Sequence, residues 1–124
     1  MKTLCLVLGD GVRAKLYLTS YPPRELKLIY HQANFGGSAS DFAGGLCKRL
    51  GADLRAGKFD ALVLMASHEF LLALDRCMDE GCRRQVLGKL VVGAEQFTEQ
   101  ELAVRLQDLL ASRPLPANLL PKTQ

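Results

Sequence analysis

Hydrophobic and polar positions along the chain change period partway, and the change divides it into two halves. Thr3–Leu8 is a short apolar run that stops at Gly9. Val12, Ala14, Leu16 and Leu18 then alternate with Arg13, Lys15, Tyr17 and Thr19. A period of two marks a strand with one buried face. Gly9-Asp10-Gly11 between these runs predicts a hairpin turn, because Asp-Gly accepts positive φ at little cost. Ser20-Tyr21-Pro22-Pro23 breaks the pattern, and Leu26, Leu28 and Tyr30 then alternate with Glu25, Lys27 and Ile29. Consecutive strands joined by short turns predict an antiparallel meander.

After Asn34-Phe35-Gly36-Gly37-Ser38 the period becomes helical. Phe42, Ala43, Leu46, Cys47, Leu50 and Leu54 share one face, with Lys48 and Arg55 opposite. Ser38 or Ser40 can cap this helix, Gly44-Gly45 weakens it by about 1 kcal/mol per glycine, and Gly57 stops it. Ala61–Ala66 is apolar throughout, as a strand buried on both faces reads. Ser67 is a cap for a helix carrying Phe70, Leu71, Leu74 and Met78. A helical turn at Arg83–Val86 and a strand at Leu87–Val92 follow. Thr98-Glu99-Gln100-Glu101 is a capping box before a helix with Leu102, Leu106, Leu109 and Leu110 as its buried stripe.

The order β-β-β-α-β-α-β-α predicts an α/β (mixed α+β) fold, a five-stranded mixed sheet with helices on its faces. A length of 124 residues, 48% hydrophobic and 23% charged, fits one soluble domain, assigned to 1–112 with a Pro-rich tail at 113–124. No apolar run reaches the roughly 20 residues a membrane span needs. The N-terminal run is too short for a secretion signal, so a cytoplasmic protein with no membrane contact is expected. In a reducing compartment Cys5, Cys47, Cys77 and Cys82 read as thiols, with Cys5 and Cys47 inside apolar patterns. The C-x4-C pair Cys77 and Cys82 lacks further ligands nearby, so no metal is expected.

Several segments resemble the bacterial host-attachment protein family. Val7-Leu8-Gly9-Asp10-Gly11-Val12-Arg13-Ala14-Lys15-Leu16-Tyr17 is similar to its opening strand, Asp-Gly turn and Arg-Ala-basic-aliphatic-aromatic strand. Phe42-Ala43 with Leu46 and Leu50 is similar to its first helix, and Gly57–Ala66 to its most recognisable segment. Phe70-Leu71 to Leu74-Asp75-Arg76, and Phe97-Thr98 to Glu101-Leu102, resemble the stretches that follow. The resemblance runs over residues 2–111. It implies a ribonuclease H-like fold, distant kinship with the middle domain of archaeal and eukaryotic peptide-chain release factors, and an indirect part in attachment to host cells. The polar insert usual before the first helix is cut down here to His31–Ser40, and Gly93–Phe97 replaces the Lys-Asp-Leu stretch before the terminal threonine.

Gly36-Gly37-Ser38-Ala39-Ser40-Asp41-Phe42-Ala43 is similar to the release-factor stretch Gly-Gly-Gln-Ser-Ala leading to Phe-Ala, but one residue shorter and without the glutamine. Gln32 precedes the glycines and does not substitute for it. The plain reading of this segment is a turn and a helix cap. The kinship implies RNA or ribosome contact, for which the candidate residues are Arg13, Lys15, Lys48, Arg49 and Arg55 beside Gly36, Gly37 and Ser38.

Net charge is only +3, but cations gather at residues 48–58 and 76–89 while 95–108 leans acidic. That asymmetry predicts a basic face suited to phosphates; the alternative is a solvated helix surface. No catalytic residue is assigned and no cofactor is expected. The first strand holds no acid for a two-metal nuclease, and no P-loop, nucleophile elbow or dinucleotide fingerprint occurs. A hydrolase using Ser38, Ser40 or His68, a protein–protein adaptor and a homodimer remain as alternatives.

Overall fold

The computed structural model describes residues 2–21, 23–34, 36–93 and 97–111. The tail at 113–124, and Glu95 of the acidic stretch 95–108, lie outside the described residues. The elements are β1 (Thr3–Gly9), β2 (Arg13–Ser20), β3 (Lys27–Ala33), α1 (Ala39–Arg55), β4 (Ala61–Ala66), α2 (His68–Cys77), α3 (Glu80–Arg84), β5 (Val86–Val91) and α4 (Glu99–Ala111). The predicted β-β-β-α-β-α-β-α order is present; the additional short helix α3 spans Glu80–Arg84 rather than the expected Arg83–Val86, because Asp79 caps it by accepting from Cys82 N, and β5 starts at Val86. The strands form one sheet in the order β3-β2-β1-β4-β5. β1, β2 and β3 pair antiparallel, whereas β1 with β4 and β4 with β5 pair parallel. The sheet is therefore mixed, and its central strands are β1 and β4.

Position explains composition. All six residues of β4 are buried, because it lies between two strands and carries packed apolar clusters on both faces. On one side, Cys5, Val7, Leu62, Leu64 and Ala66 meet α1 and α2 through Leu46, Leu50, Phe70 and Leu74. Phe42 and Phe70 approach with ring centroids 5.8 Å apart and planes tilted by 32°. On the other side, Leu4, Leu6, Tyr17, Val63 and Met65 meet Leu102, Leu106 and Leu110 of α4.

Local chemistry sets the helix ends. Ser38 Oγ accepts from Asp41 N at 3.0 Å, so Ser38 rather than Ser40 caps α1. Gly57 closes the turn beyond α1 with φ of +76°, a conformation open to glycine. Ser67 Oγ accepts from Phe70 N at 3.3 Å at the start of α2. The predicted capping box is formed, with Glu101 N donating to Thr98 Oγ1 and Thr98 N donating to Glu101 Oε1, each at 3.1 Å.

Two local expectations are corrected. The β1–β2 hairpin forms, but Gly11 does not take positive φ. Asp10 Oδ1 instead accepts from Val12 N at 2.7 Å and Arg13 N at 2.8 Å, giving a wider Asx-type loop. A side chain at Gly11 would meet Ala39 Cβ at 3.2 Å, so the close approach of α1 favours glycine there. In β3, Leu28 is 42% exposed rather than inward, while Ile29 and Tyr30 pack towards α1. The register shift between Leu16 and Tyr17 accounts for the change, because a slip of one residue exchanges faces.

Candidate nucleic-acid interface

Alternation along β2 sends Ala14, Leu16 and Leu18 towards α1 and Arg13, Lys15 and Tyr17 to the opposite face. Tyr17 is covered by the α4-side cluster and is 4% exposed. Arg13 and Lys15, nearer the hairpin, are exposed. Their cross-strand neighbours extend this surface: Lys15 lies opposite His31, Arg13 opposite Ala33, and Tyr17 opposite Leu28. The result is a stretch of sheet that no helix among the described residues covers, with cations above an apolar floor.

Two clefts share Arg13 and Lys15 as a common wall. One, of about 470 Å³, runs over Leu8 and Asp10 to Val92 and Phe97. The other, of about 500 Å³, runs over Leu28 and His31. Asp10 is the nearest acid along the chain, but it accepts from backbone N–H groups rather than from the Arg13 guanidinium. Neither Arg13 nor Lys15 forms an ion pair with the described residues.

The glycine loop adjoins this surface through Asn34. Asn34 N donates to Val12 O at 2.7 Å, and its Nδ2 donates to Gly11 O at 3.0 Å and Gly37 O at 2.9 Å. Gly37 N donates back to Asn34 Oδ1 at 3.1 Å. One amide side chain thus ties the β1–β2 turn to Gly36-Gly37-Ser38. Gly36 has φ of +87°, and a Cβ at Gly37 would lie 2.9 Å from Asn34 Oδ1. The loop is exposed yet fixed at its base. The only sequence signal for this anchor is an amide residue just ahead of a Gly-Gly pair.

The other candidate cations lie across the sheet. Tyr30 packs on the α1 side, and the Arg49 guanidinium stacks 4.0 Å from its ring centroid. Arg49 Nε also lies 3.6 Å from Asp53 Oδ2, and Lys58 Nζ lies 3.4 Å from Asp53 Oδ1. Asp53 is 7% exposed, so these cations compensate a buried carboxylate. Arg55 Nη1 is 3.3 Å from Asp79 Oδ2. The Asp79 carboxyl is held below the ordinary carboxylate range, first by the Cys82 N–H and then by Arg55. Lys48 is exposed and has no ion-pair partner among the described residues. At 1.5 Å per residue, Arg55 sits about 25 Å along α1 from Ser38. The structure therefore brings Arg13, Lys15, Gly36, Gly37 and Ser38 together, and sets Lys48, Arg49 and Arg55 apart from them.

The cationic stretch at 76–89 is similarly offset. Lys89 pairs with Asp75 at 2.6 Å, and Arg83 and Arg84 reach Glu80 at 4.0 and 3.7 Å. For hydrolytic chemistry, the Ser38 hydroxyl is engaged as a cap, and no histidine hydrogen bonds to Ser38 or Ser40 among the described residues. Among those residues no three His, Cys, Asp or Glu side chains converge as a metal set. No helix among them is long and apolar enough to cross a membrane.

No family model and no curated protein matches the chain. Solved structures do. An archaeal translation termination factor superposes with a TM-score of 0.58 at 8% identity, over 88% of this chain and 37% of that one. Archaeoglobus fulgidus Pelota superposes with 0.53 at 11% identity, over 89% and 33%. Thermus thermophilus RuvC, in complex with a Holliday junction substrate, superposes with 0.50 at 12% identity, over 96% and 87%. The chain spans about a third of the first two proteins' length. It has the mixed α/β fold shared by release-factor and Pelota domains and by the ribonuclease H-like RuvC.

Proposed function

We propose that this chain is a non-catalytic, cytoplasmic binding domain of the host-attachment type that contacts RNA, with the ribosome as the setting. The contact surface is the uncovered sheet face bearing Arg13 and Lys15, with the Gly36–Ser38 loop at its end. The observation that carries this reading is the pair of exposed cations, without acidic partners among the described residues, lining two adjoining clefts. Exposed cations over an open groove suit a phosphate backbone, because each phosphate contact releases condensed counterions. The fold shared with a translation termination factor and Pelota supports the ribosomal setting. The host-attachment assignment rests on the sequence segments quoted above. Lys48, Arg49 and Arg55 play no part in this version of the surface.

Two measurements test it. The purified chain should co-sediment with ribosomes at low salt and dissociate steeply as salt rises; absence of co-sedimentation at low salt overturns the ribosomal setting. Binding of single-stranded RNA, followed by anisotropy, should weaken in Arg13→Ala/Lys15→Ala, with a salt slope shallower by about 1.4 for two lost single-strand contacts. Unchanged affinity and slope overturn the assigned surface.

A further inference from the structure

The sequence contains four cysteines, and the pair its spacing singles out is Cys77 with Cys82. The structure selects another pair. Cys47 Sγ of α1 and Cys77 Sγ of α2 lie 2.8 Å apart, 30 residues distant along the chain. Cys82 takes no part in that contact; it is fully buried, and burial pushes its thiol up to about 11. Both Cys47 and Cys77 sulfurs face the Leu74 carbonyl, at 3.6 and 3.7 Å, and Cys77 Sγ also donates to Ala73 O at 3.1 Å. Their approach is fixed by the packing of α1 on α2.

Accessibility is one-sided. Cys77 is exposed at the last residue of α2, whereas Cys47 lies behind it, 5% exposed. Burial, and then the Cys77 sulfur itself, raise the Cys47 thiol well above the ordinary range. An oxidant therefore meets Cys77 first, and Cys47 is placed to resolve whatever forms there. A disulfide needs the sulfurs at about 2.05 Å, so the required movement is under about 1 Å.

We propose that Cys47 and Cys77 form a reversible disulfide that fastens α1 to α2, with Cys77 as the entry point for a low-molecular-weight disulfide. The Cys77 sulfur, as thiolate, attacks one sulfur of oxidised glutathione. A Cys77–glutathione bond forms, the glutathione S–S bond breaks, and one glutathione thiolate leaves. The Cys47 sulfur loses its proton to water and attacks Cys77 Sγ, expelling the second glutathione. Two protein thiols are oxidised, and one glutathione disulfide is reduced to two thiols. The product closes the loop from Cys47 to Cys77, and constraining the unfolded chain raises the stability of the oxidised form.

The test treats the full chain with oxidised glutathione, digests it without reduction and maps disulfides by mass spectrometry. The expected result is a Cys47–Cys77 linked peptide pair that dithiothreitol separates, with a thermal midpoint several degrees higher in the oxidised protein. Cys77→Ser, at an exposed position, should fold normally, lack the link and show no oxidant-dependent rise. Stable glutathione adducts on Cys77 without the link overturn the proposal. So does a Cys77–Cys82 link, or an unmodified protein after prolonged exposure.

Discussion

On the α1/α2 side of the sheet, cover extends outward past β2, and Arg49 reaches as far as Tyr30 of β3. On the α4 side it reaches Tyr17 of β2 and Leu26 just before β3, and the remaining outer face of β2 and β3 is left to Arg13, Lys15, Leu28 and His31. The same strands thus carry a finished face and an unfinished one. Cations occur on both, and their surroundings separate them. Across from α4, Arg49 and Lys58 bracket the buried Asp53 carboxylate, and Arg55 pairs with Asp79. On the open face Arg13 and Lys15 have no such partner among the described residues. Positive charge committed to the fold is a poor guide to a binding surface; uncommitted charge over an uncovered face is a better one.

The largest expected effect lies in the covered face. Phe70 is fully buried against Phe42, and its ring approaches the backbone at Gly9. Phe70→Ala should cost about 3–5 kcal/mol in urea unfolding, through lost burial and the cavity left behind. Leu28→Ala on the open face should cost under about 1 kcal/mol, because Leu28 remains 42% exposed. Similar costs at the two positions would mean that something covers the second face in solution.

Next in size is the tie between the faces' common edge and the glycine loop. Asn34→Ala removes the hydrogen bonds to Gly11 O and Gly37 O and the acceptor for Gly37 N. A loss of about 1–3 kcal/mol is expected, measured by urea unfolding. Faster amide exchange should be confined to the 10–13 and 34–38 segments; exchange spread evenly through the sheet would contradict a local anchor.

Much of this architecture is legible in the sequence, for reasons that differ by region. Ala61–Ala66 could be read because a strand buried on both faces needs apolar residues at every position. Ser38, Ser67 and the Thr98–Glu101 box could be read because caps depend on short-range geometry. The register slip that turns Leu28 outward could not, since the skipped residue, Ile29, is defined only by how β3 pairs with β2. The site was only half legible. Arg13 and Lys15 follow from alternation, but the engagement of Arg49 and Arg55 depends on Asp53, Tyr30 and Asp79 meeting them in space. Likewise, spacing suggests Cys77 with Cys82, and only the packing of α1 against α2 brings Cys47 to Cys77.

A smaller effect concerns acid. The Glu101 carboxyl is held below its ordinary value of 4.5, first by the Thr98 N–H it accepts. Asp79 is held below 3.8, first by the Cys82 N–H. In each case the folded state binds its proton less readily than the unfolded chain. Their contribution is therefore complete above the unfolded values and is lost as pH falls through the lowered folded ones. Urea midpoints should be level down to about pH 5 and decline below it. In Glu101→Gln that decline should be shallower; an unchanged acid slope would show that the capping carboxylate is not coupled to folding.

The smallest change in stability is expected where the binding surface is assigned. Arg13 and Lys15 are exposed and make no ion pair with the described residues, while the turn beside them is held by backbone donors to Asp10 that alanine would retain. Arg13→Ala/Lys15→Ala should stay within about 0.5 kcal/mol of the parent in urea. Removing two neighbouring like charges can even relieve repulsion across the open strands. The matching double variant across the sheet, Arg49→Ala/Lys58→Ala, strips both cations from the 7%-exposed Asp53 carboxylate and should cost several times more. Equal costs for the two double variants would place Arg13 and Lys15 among the cations that serve the fold. A near-zero cost at Arg13 and Lys15, together with weakened RNA binding, would leave their charge available for a partner alone.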